Sequence, residues 1–542
     1  MQSWLTDWYE ATIADLIRQF RLSFLPPLMV YFAAGVSGLT AIVGTFFVKE
    51  YLGLSAAYLA GLAFWAGLPW ALKMPLGHLV DVIWRWKAVL VYIGAALIAA
   101  SLLIMYCLIQ YRDWMAGIMP VASWYVTSAL LAPAGYVVQD AVADAMSVEA
   151  VPRHHLDGSE IDEPTSKQLH TTMQTLGRIA LISGSVGVAI LNIVMFDGIE
   201  TLSTQAKADV YAQIYLTALF IPAVSVSGVI LASILTIRRR RRLLAEGHDR
   251  ARVDEMLNLQ GEETTPNPWY FIGGAAFVVL TLAVGIGEVP FAQEIVFAGS
   301  MAIVIALMSQ LARELPPGKA YALFGTAIIV FIFRAVPLPG PGATWFSIDV
   351  LKFDQQFLSV LSLVASMLTL VGMILLRPWM ARKPIVQIVV MLTIAGGILA
   401  LPNIALYYGV QNITAPLTGG IVDARFIAVI DTAVESPLGQ VAMIPMLAWI
   451  AKNAPSNLKA TFFAVMASFT NLALSASALL TRYVNEIFLV TREVRDGQTG
   501  SITVSADYSA LGYLLIVVAL VGVAAPLVAI FLVQRSPLKT TD

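Results

Sequence analysis

The sequence predicts an all-α polytopic membrane protein, with apolar helices arranged as two six-helix bundles and a two-helix hairpin inserted between them. Three observations carry this reading. The 542 residues are 58% hydrophobic and only 13% charged, with mean hydropathy +0.78, whereas a soluble domain is about 45–50% apolar and about 25% charged. The apolar residues fall in runs of span length, about 20 residues each. Lys and Arg collect at alternate ends of those runs. A β-barrel of the outer-membrane kind is excluded, because alternating strands give weak hydropathy.

Runs of span length lie near 24–47, 55–80, 88–110, 118–147, 171–196, 210–236, 269–289, 293–311, 320–338, 356–377, 384–409, 424–451, 459–488 and 509–534, about fourteen in all. With a cytoplasmic N-terminus, one side collects Arg18, Arg21, Arg85, Lys87, Arg153, Lys167, Arg238–Arg242, Arg313, Lys319, Arg377, Arg382, Lys383, Lys452, Lys459, Arg535 and Lys539. The other side receives Lys49, Arg112, Lys207, Lys352, Arg492 and Arg495. The bias puts both termini in the cytoplasm, in a plasma or inner membrane.

The first residues lack the basic start, apolar centre and small-residue cleavage site of a signal peptide. Asp7, Glu10, Asp15, Arg18 and Arg21 alternate with Trp4, Trp8, Ile13, Leu16 and Phe20, so 1–23 reads as a cytoplasmic amphipathic segment. The first bundle then covers 24–237, a basic and acidic linker 238–268, the hairpin 269–319, the second bundle 320–535 and a tail 536–542. The Arg run of the linker reads as a topology anchor near anionic lipid. An echo supports the division. Leu52-Gly53-Leu54-Ser55 opens the second span of one bundle and Leu351-Lys352-Phe353-Asp354 that of the other, with Ser and Asp where an N-cap belongs. Two six-helix halves with a site at their interface is the general plan of major facilitator transporters.

Composition also excludes functions. A net charge of −2 gives no bulk basic field for nucleic acid. Cys107 is the single cysteine, so no internal disulfide or Cys cluster forms. His78, His154, His155, His170 and His248 show no metal spacing and no catalytic pairing, so neither an enzyme nor a cofactor is expected.

Charges at membrane depth are the candidates for function. Each Asp costs roughly 2.5–3.5 kcal/mol to insert. Asp140 and Asp144 share a helix face with Pro133 and Tyr136. On the next span Thr171, Gln174, Arg178 and Ser185 share a face, and helical rise puts Arg178 near the depth of Asp144. The expected arrangement is Arg178 paired with Asp140 or Asp144, one carboxylate being left as a proton site; the alternative is a static ion-pair network. In the second half Asp431 and Glu435 repeat the four-residue spacing, and Arg334 is placed to reach them. Thr461, Ser468, Asn471, Ser475 and Arg482 form a stripe expected to face a central cavity, or to act as interhelical glue. After the second span, Leu68 to Asp81 reads as a loop. Its Lys73, Gly77 and Asp81, followed by Arg85, are similar to the facilitator superfamily's cytoplasmic gate.

Taken together, several blocks resemble the folate–biopterin transporter family of the major facilitator superfamily. They are Phe47-Val48-Lys49-Glu50-Tyr51-Leu52-Gly53-Leu54, Pro69-Trp70-Ala71-Leu72-Lys73 with Gly77 and Asp81, Gln139-Asp140 with Asp144, and Ile444-Pro445-Met446-Leu447 through Pro455. Ala460-Thr461-Phe462-Phe463-Ala464 and Ser468 to Asn471 complete the set. Gln139-Asp140 with Asp144-Ala145 also resembles the muropeptide permeases. The resemblance implies a monomeric secondary transporter, a symporter coupling H+ to a small folate- or pterin-like solute. A muropeptide- or siderophore-type permease, and a non-transporting receptor or assembly factor on the same fold, are the alternatives.

Overall fold

The computed structural model describes residues 18–48, 54–152, 161–257, 268–286, 289–313, 316–380, 383–438, 459–495 and 501–540. The amphipathic reading of 1–17 lies outside them, as does the second part of the span expected over 424–451.

The chain folds almost wholly into helices. The first run gives α1 (Leu25–Val36), a 3-10 turn (Ser37–Thr40) and α2 (Ala41–Phe47). Pro26 and Pro27 occupy the opening turn of α1, where a missing N–H is tolerated. The second run is α3 (Ala56–Gly67), a 3-10 turn (Leu68–Leu72) around Pro69, and α4 (Lys73–Val82). Next come α5 (Lys87–Gln110), α6 (Arg112–Ile118), α7 (Val121–Ala150), α8 (Glu163–Met195), α9 (Thr204–Ala218), α10 (Phe220–Ala245) and the short α11 (Arg250–Met256). Asp162 caps α8 by accepting from the Thr165 N–H at 3.1 Å.

An antiparallel pair comes next, α12 (Pro268–Ile286) and α13 (Ala292–Arg313). Then come α14 (Pro317–Arg334), α15 (Pro341–Asp349), α16 (Gln355–Met380), α17 (Ile385–Tyr407), α18 (Gln411–Leu417), α19 (Ala424–Glu435) and α20 (Lys459–Ile487). A small antiparallel ribbon of β1 (Val494–Arg495) and β2 (Ile502–Val504) precedes α21 (Leu511–Gln534).

Two groups of helices emerge from the packing. In one, α1 packs on α7, α8 and α10, α5 on α7, α9 and α10, and α4 on α7. In the other, α17 packs on α14, α19 and α21, α14 on α20 and α21, and α16 on α19. The groups meet along α3 with α20 and along α8 with α16. The α12–α13 pair lies against both, with α12 on α4 and α13 on α20. Phe277 and Val296 of the pair share a buried cluster with Phe64 and Leu68 of the first group and Leu479 of the second.

Small residues permit the tightest approaches, as expected where lipid offers helices no hydrophobic drive to associate. A Cβ on Gly184 would stand 2.6 Å from the Phe32 carbonyl oxygen, and one on Gly135 2.6 Å from that of Gly94. Ser101 adds glue between α5 and α7, its Oγ donating to the Ser128 carbonyl at 2.8 Å.

Between α14 and α15 the backbone is unwound, and α20 supplies the missing partners. Ser477 Oγ donates to the Val336 carbonyl at 2.6 Å and Asn485 Nδ2 to the Pro339 carbonyl at 3.2 Å. The Leu338 N–H donates to Thr481 Oγ1 at 2.9 Å. Ser477, Thr481 and Asn485 recur every four residues, so one face of α20 does all of this.

Ten helices among the described residues are long and apolar enough to cross a membrane, with a shorter apolar one at Ala320–Arg334. The sequence reading expected about fourteen. The run over 55–80 is divided by the turn around Pro69, and the run over 320–338 stops when the chain unwinds after Arg334. The later half of α20 carries too many polar residues to register as apolar, and α19 continues into residues outside the described set. The stretch Leu68 to Asp81, read as a loop, is a 3-10 turn and then a helix, since Leu76, Leu79 and Val80 keep a helical apolar face. The linker expected from 238 begins later, because the Arg run continues α10 to Ala245; Arg is a good helix former. Both anticipated caps form: Ser55 accepts from the Tyr58 N–H at 3.1 Å and Asp354 from the Phe357 N–H at 2.6 Å.

Substituting Gly184→Val forces a side chain into the α1 backbone. Overpacking of this kind costs about 1–3 kcal/mol, so a lower unfolding temperature of the detergent-purified protein is expected. Unchanged thermal unfolding would contradict the close approach.

Candidate functional site

The turn around Pro69 decides where Lys73 points. It ends α3 and restarts the helix as α4, with Lys73 the first residue of the restart. From there Lys73 Nζ reaches Asp140 Oδ2 at 2.6 Å and Asp144 Oδ2 at 2.8 Å. The helical four-residue spacing on α7 stacks the carboxylates so that one ammonium touches both. Tyr31 of α1 closes the group, its hydroxyl donating to Asp144 Oδ1 at 2.8 Å. The Lys73 side chain is 23% exposed, Asp140 15% and Asp144 45%. The group is therefore partly shielded, where a charge-assisted contact is stronger than at an open surface.

The neighbouring residue Gln139 is buried and fixes α7. Its Nε2 donates to the Val91 carbonyl of α5 at 3.2 Å, and its Oε1 accepts from Ser225 Oγ of α10 at 3.0 Å. This polar tie leaves Asp140 and Asp144 turned toward α1 and α4.

The expected Arg178 pair is corrected by this geometry. Among the described residues the ion-pair partner of both carboxylates is Lys73. Arg178 is exposed and makes no ion pair with either carboxylate among the described residues. The reason is packing: α8 lies on α1 and α16 and touches α7 only slightly. Lys73, read as part of a gate, instead belongs to the carboxylate cluster. Gly77 faces open space and Arg85 is exposed, while the side chains of Asp81 and Gln174 lie outside the described residues.

In the second group, Asp431 is buried and accepts from Asn403 Nδ2 at 2.8 Å through Oδ2. Its Oδ1 has no hydrogen-bond partner among the described residues. Glu435 is exposed and Arg334 half-buried. The expected ion pair from Arg334 to these acids is not formed among the described residues; Arg334 ends α14, which packs on α17, α20 and α21, whereas α19 packs on α16 and α17. Ser468 is fully buried. Asn471 joins the groups, its Nδ2 donating to the Trp70 carbonyl at 3.2 Å in the turn before Lys73.

Other bonds between the groups lie at the end of the molecule remote from Leu25 and Gln534. Gln355 Nε2 donates to Tyr211 Oη at 2.9 Å, and Arg492 Nη2 to the Val48 carbonyl at 2.8 Å. At that end α13 forms a bridge of its own. Gln293 Nε2 donates to the Gly61 carbonyl at 3.2 Å, while its Oε1 accepts from Arg482 Nη1 at 3.2 Å. Tyr483 donates to the Glu294 carboxylate beside it.

Sequence reasoning missed Tyr31, Gln293 and Glu294. Tyr31 is the one phenol in the apolar run 24–47, which marks it as polar at depth but names no partner. Glu294 next to Gln293 at the start of an apolar run carried a similar signal.

Comparison with known proteins agrees with this architecture. The chain is 23% identical over 477 residues, 84% of its length and 74% of the relative's, to a folate-biopterin transporter of Synechocystis sp. (strain ATCC 27184 / PCC 6803 / Kazusa). A peptide transporter POT in complex with sulfate superposes with TM-score 0.59 at 14% identity, covering 96% of this chain and 98% of that one. A POT family transporter in complex with 5-aminolevulinic acid gives 0.58 at 11%, covering 95% and 96%. A D-xylose-proton symporter gives 0.51 at 11%, covering 94% and 95%. At these identities the likeness shows the fold, that of the major facilitator superfamily, and the protein is a multi-pass integral membrane protein. The model of the BT1 family matches residues 34–541, and the chain belongs to that family of membrane transporters.

Proposed function

We propose that the protein is a proton-coupled secondary transporter, moving a small folate- or pterin-like organic anion across a plasma or inner membrane by alternating access. Six spans, the α12–α13 hairpin and six further spans make fourteen, with both termini cytoplasmic and the monomer as the working unit. The observation that carries the reading is the Lys73 bridge to Asp140 and Asp144.

The charges suggest how coupling works. Lys73 and Arg178 balance the charge of Asp140 and Asp144, and Arg178 is exposed. An incoming carboxylate binds Arg178 and offsets its charge. The remaining pair of carboxylates then shares one ammonium in a weakly screened site, and taking up a proton relieves the excess negative charge. A neutral carboxyl holds Lys73 less tightly. Lys73 begins α4, which packs on α20 of the other half and comes directly after the turn that Asn471 grips. Protonation is thereby linked to the contact between the halves. The bonds at Val48 and Tyr211 join the halves at the end that this topology puts outside, and on this reading the Lys73 cluster is on the cytoplasmic side.

The reading supports two expectations. In proteoliposomes, Lys73→Met and Asp144→Asn abolish folate accumulation driven by a pH gradient while leaving the purified protein folded. Normal accumulation by both variants would sink the coupling role. Arg178→Gln weakens half-saturation for folate about tenfold or more, the loss of one charge-assisted hydrogen bond, and an uncharged pterin is affected far less. Equal effects on both solutes would remove Arg178 from carboxylate recognition.

The ion pairs also have a stability signature. Lys73→Met leaves two partly exposed carboxylates without their shared ammonium and lowers stability by about 1–3 kcal/mol. Adding Asp140→Asn and Asp144→Asn recovers most of it, as read by thermal unfolding of the three proteins. A triple variant no more stable than the single one would contradict this account.

A further inference from the structure

The inner end of α10 combines an apolar stripe with a basic cavity. Ile230, Ile234, Ile237, Arg241 and Leu244 recur at helical spacing and share one face. Ile230 is 47% exposed, Ile234 41%, Ile237 51% and Leu244 37%, so the stripe is uncovered along its length. Past the stripe the chain turns at Gly247, whose φ of 91° suits glycine. It then folds back as α11. Leu243 packs on Val253, and Arg240 Nη2 pairs with Asp254 Oδ1 at 3.0 Å. The fold-back brings Arg250 to face Arg240 and Arg241 across a cavity of about 410 Å³, lined otherwise by Ile237 and Leu244.

Among the described residues three nearby acids are already engaged. Arg240 holds Asp254, Arg242 holds Glu246 at 2.8 Å, and Asp249 accepts from the Ala251 N–H at 3.3 Å. Arg241 and Arg250 make no ion pair among the described residues. The cavity therefore offers two guanidinium groups with no ion-pair partner among the described residues, above an apolar floor that continues down the helix. Guanidinium suits phosphate because its donors form a planar fork.

We propose that this cavity binds the headgroup of an anionic phospholipid, its phosphate between Arg241 and Arg250 and an acyl chain along Ile237, Ile234 and Ile230. A soluble phosphate would use the arginines but not the stripe. A zwitterionic lipid would bring a second cation toward three guanidinium groups.

The test uses the purified, delipidated full-length protein in detergent, with thermal unfolding and direct binding of fluorescent lipid as readouts. Phosphatidylglycerol is expected to bind and to raise the unfolding temperature, since a ligand of the native state stabilises it. Phosphatidylcholine and inorganic phosphate are expected to do neither. The Arg241→Gln and Arg250→Gln double variant should bind phosphatidylglycerol about 25-fold more weakly, from about fivefold per cation. Should it fail to fold, each single variant should show about a fivefold loss. Equal binding of phosphatidylcholine, or variants that bind like the parent, would overturn the proposal. An equal thermal shift with inorganic phosphate alone would assign the cavity to a soluble anion and overturn the lipid.

Discussion

Hydrocarbon offers a backbone amide nothing to bond to, so a chain that crosses lipid must keep its own hydrogen bonds. This protein interrupts its helices at Ser37–Thr40, at Leu68–Leu72 and again between Arg334 and Pro341. One helix makes the last two interruptions tenable. From α20, Asn471 serves the Trp70 carbonyl, while Ser477, Thr481 and Asn485 serve Val336, Leu338 and Pro339. Polar side chains on two faces of α20 thus support both broken helices.

The charge cluster is one consequence. Without the turn at Pro69, α3 would continue as a regular helix, and Lys73 would fall at a different rotation and depth. With it, the ammonium meets two carboxylates that the spacing on α7 has already stacked. Tyr31 supplies a further donor to Asp144. Arrangements of this kind are demanding, because removing one partner of a buried pair leaves the other charge uncompensated.

The helical class, the repeated capping of Ser55 and Asp354 and the shared face of Asp140 and Asp144 were all legible in the sequence. Each depends on residues near one another in the chain: hydropathy in a window, a side chain three residues from its own amide, two acids on one turn. The partner of the acids was not legible. Matching depths on adjacent spans favoured Arg178, since that comparison assumes unbroken helices packed in chain order. Lys73 arrives from a helix that breaks and restarts, and no local signal tells how far a 3-10 turn rotates the helix beyond it. The stripe on α20 was visible as a polar face, and the cavity-facing reading competed with interhelical glue. Of that stripe, Asn471 acts as glue; Ser477, Thr481 and Asn485, which the expectation did not name, do the same from a different face of α20.

The unwound segment has a kinematic consequence. Three bonds from one face of α20 hold three successive parts of the stretch between α14 and α15, so turning α20 by a single residue, about 100°, would strand all of them at once. α14, α15 and α20 are therefore geared together and shift as one body. Among the described residues, sliding of that body past α3 would strain the amide-to-carbonyl bond between Asn471 and Trp70 and the Gln293 strut between Gly61 and Arg482. Relative motion along this seam would thus load two polar contacts, while the broken helix beside it is tied to α20 by three.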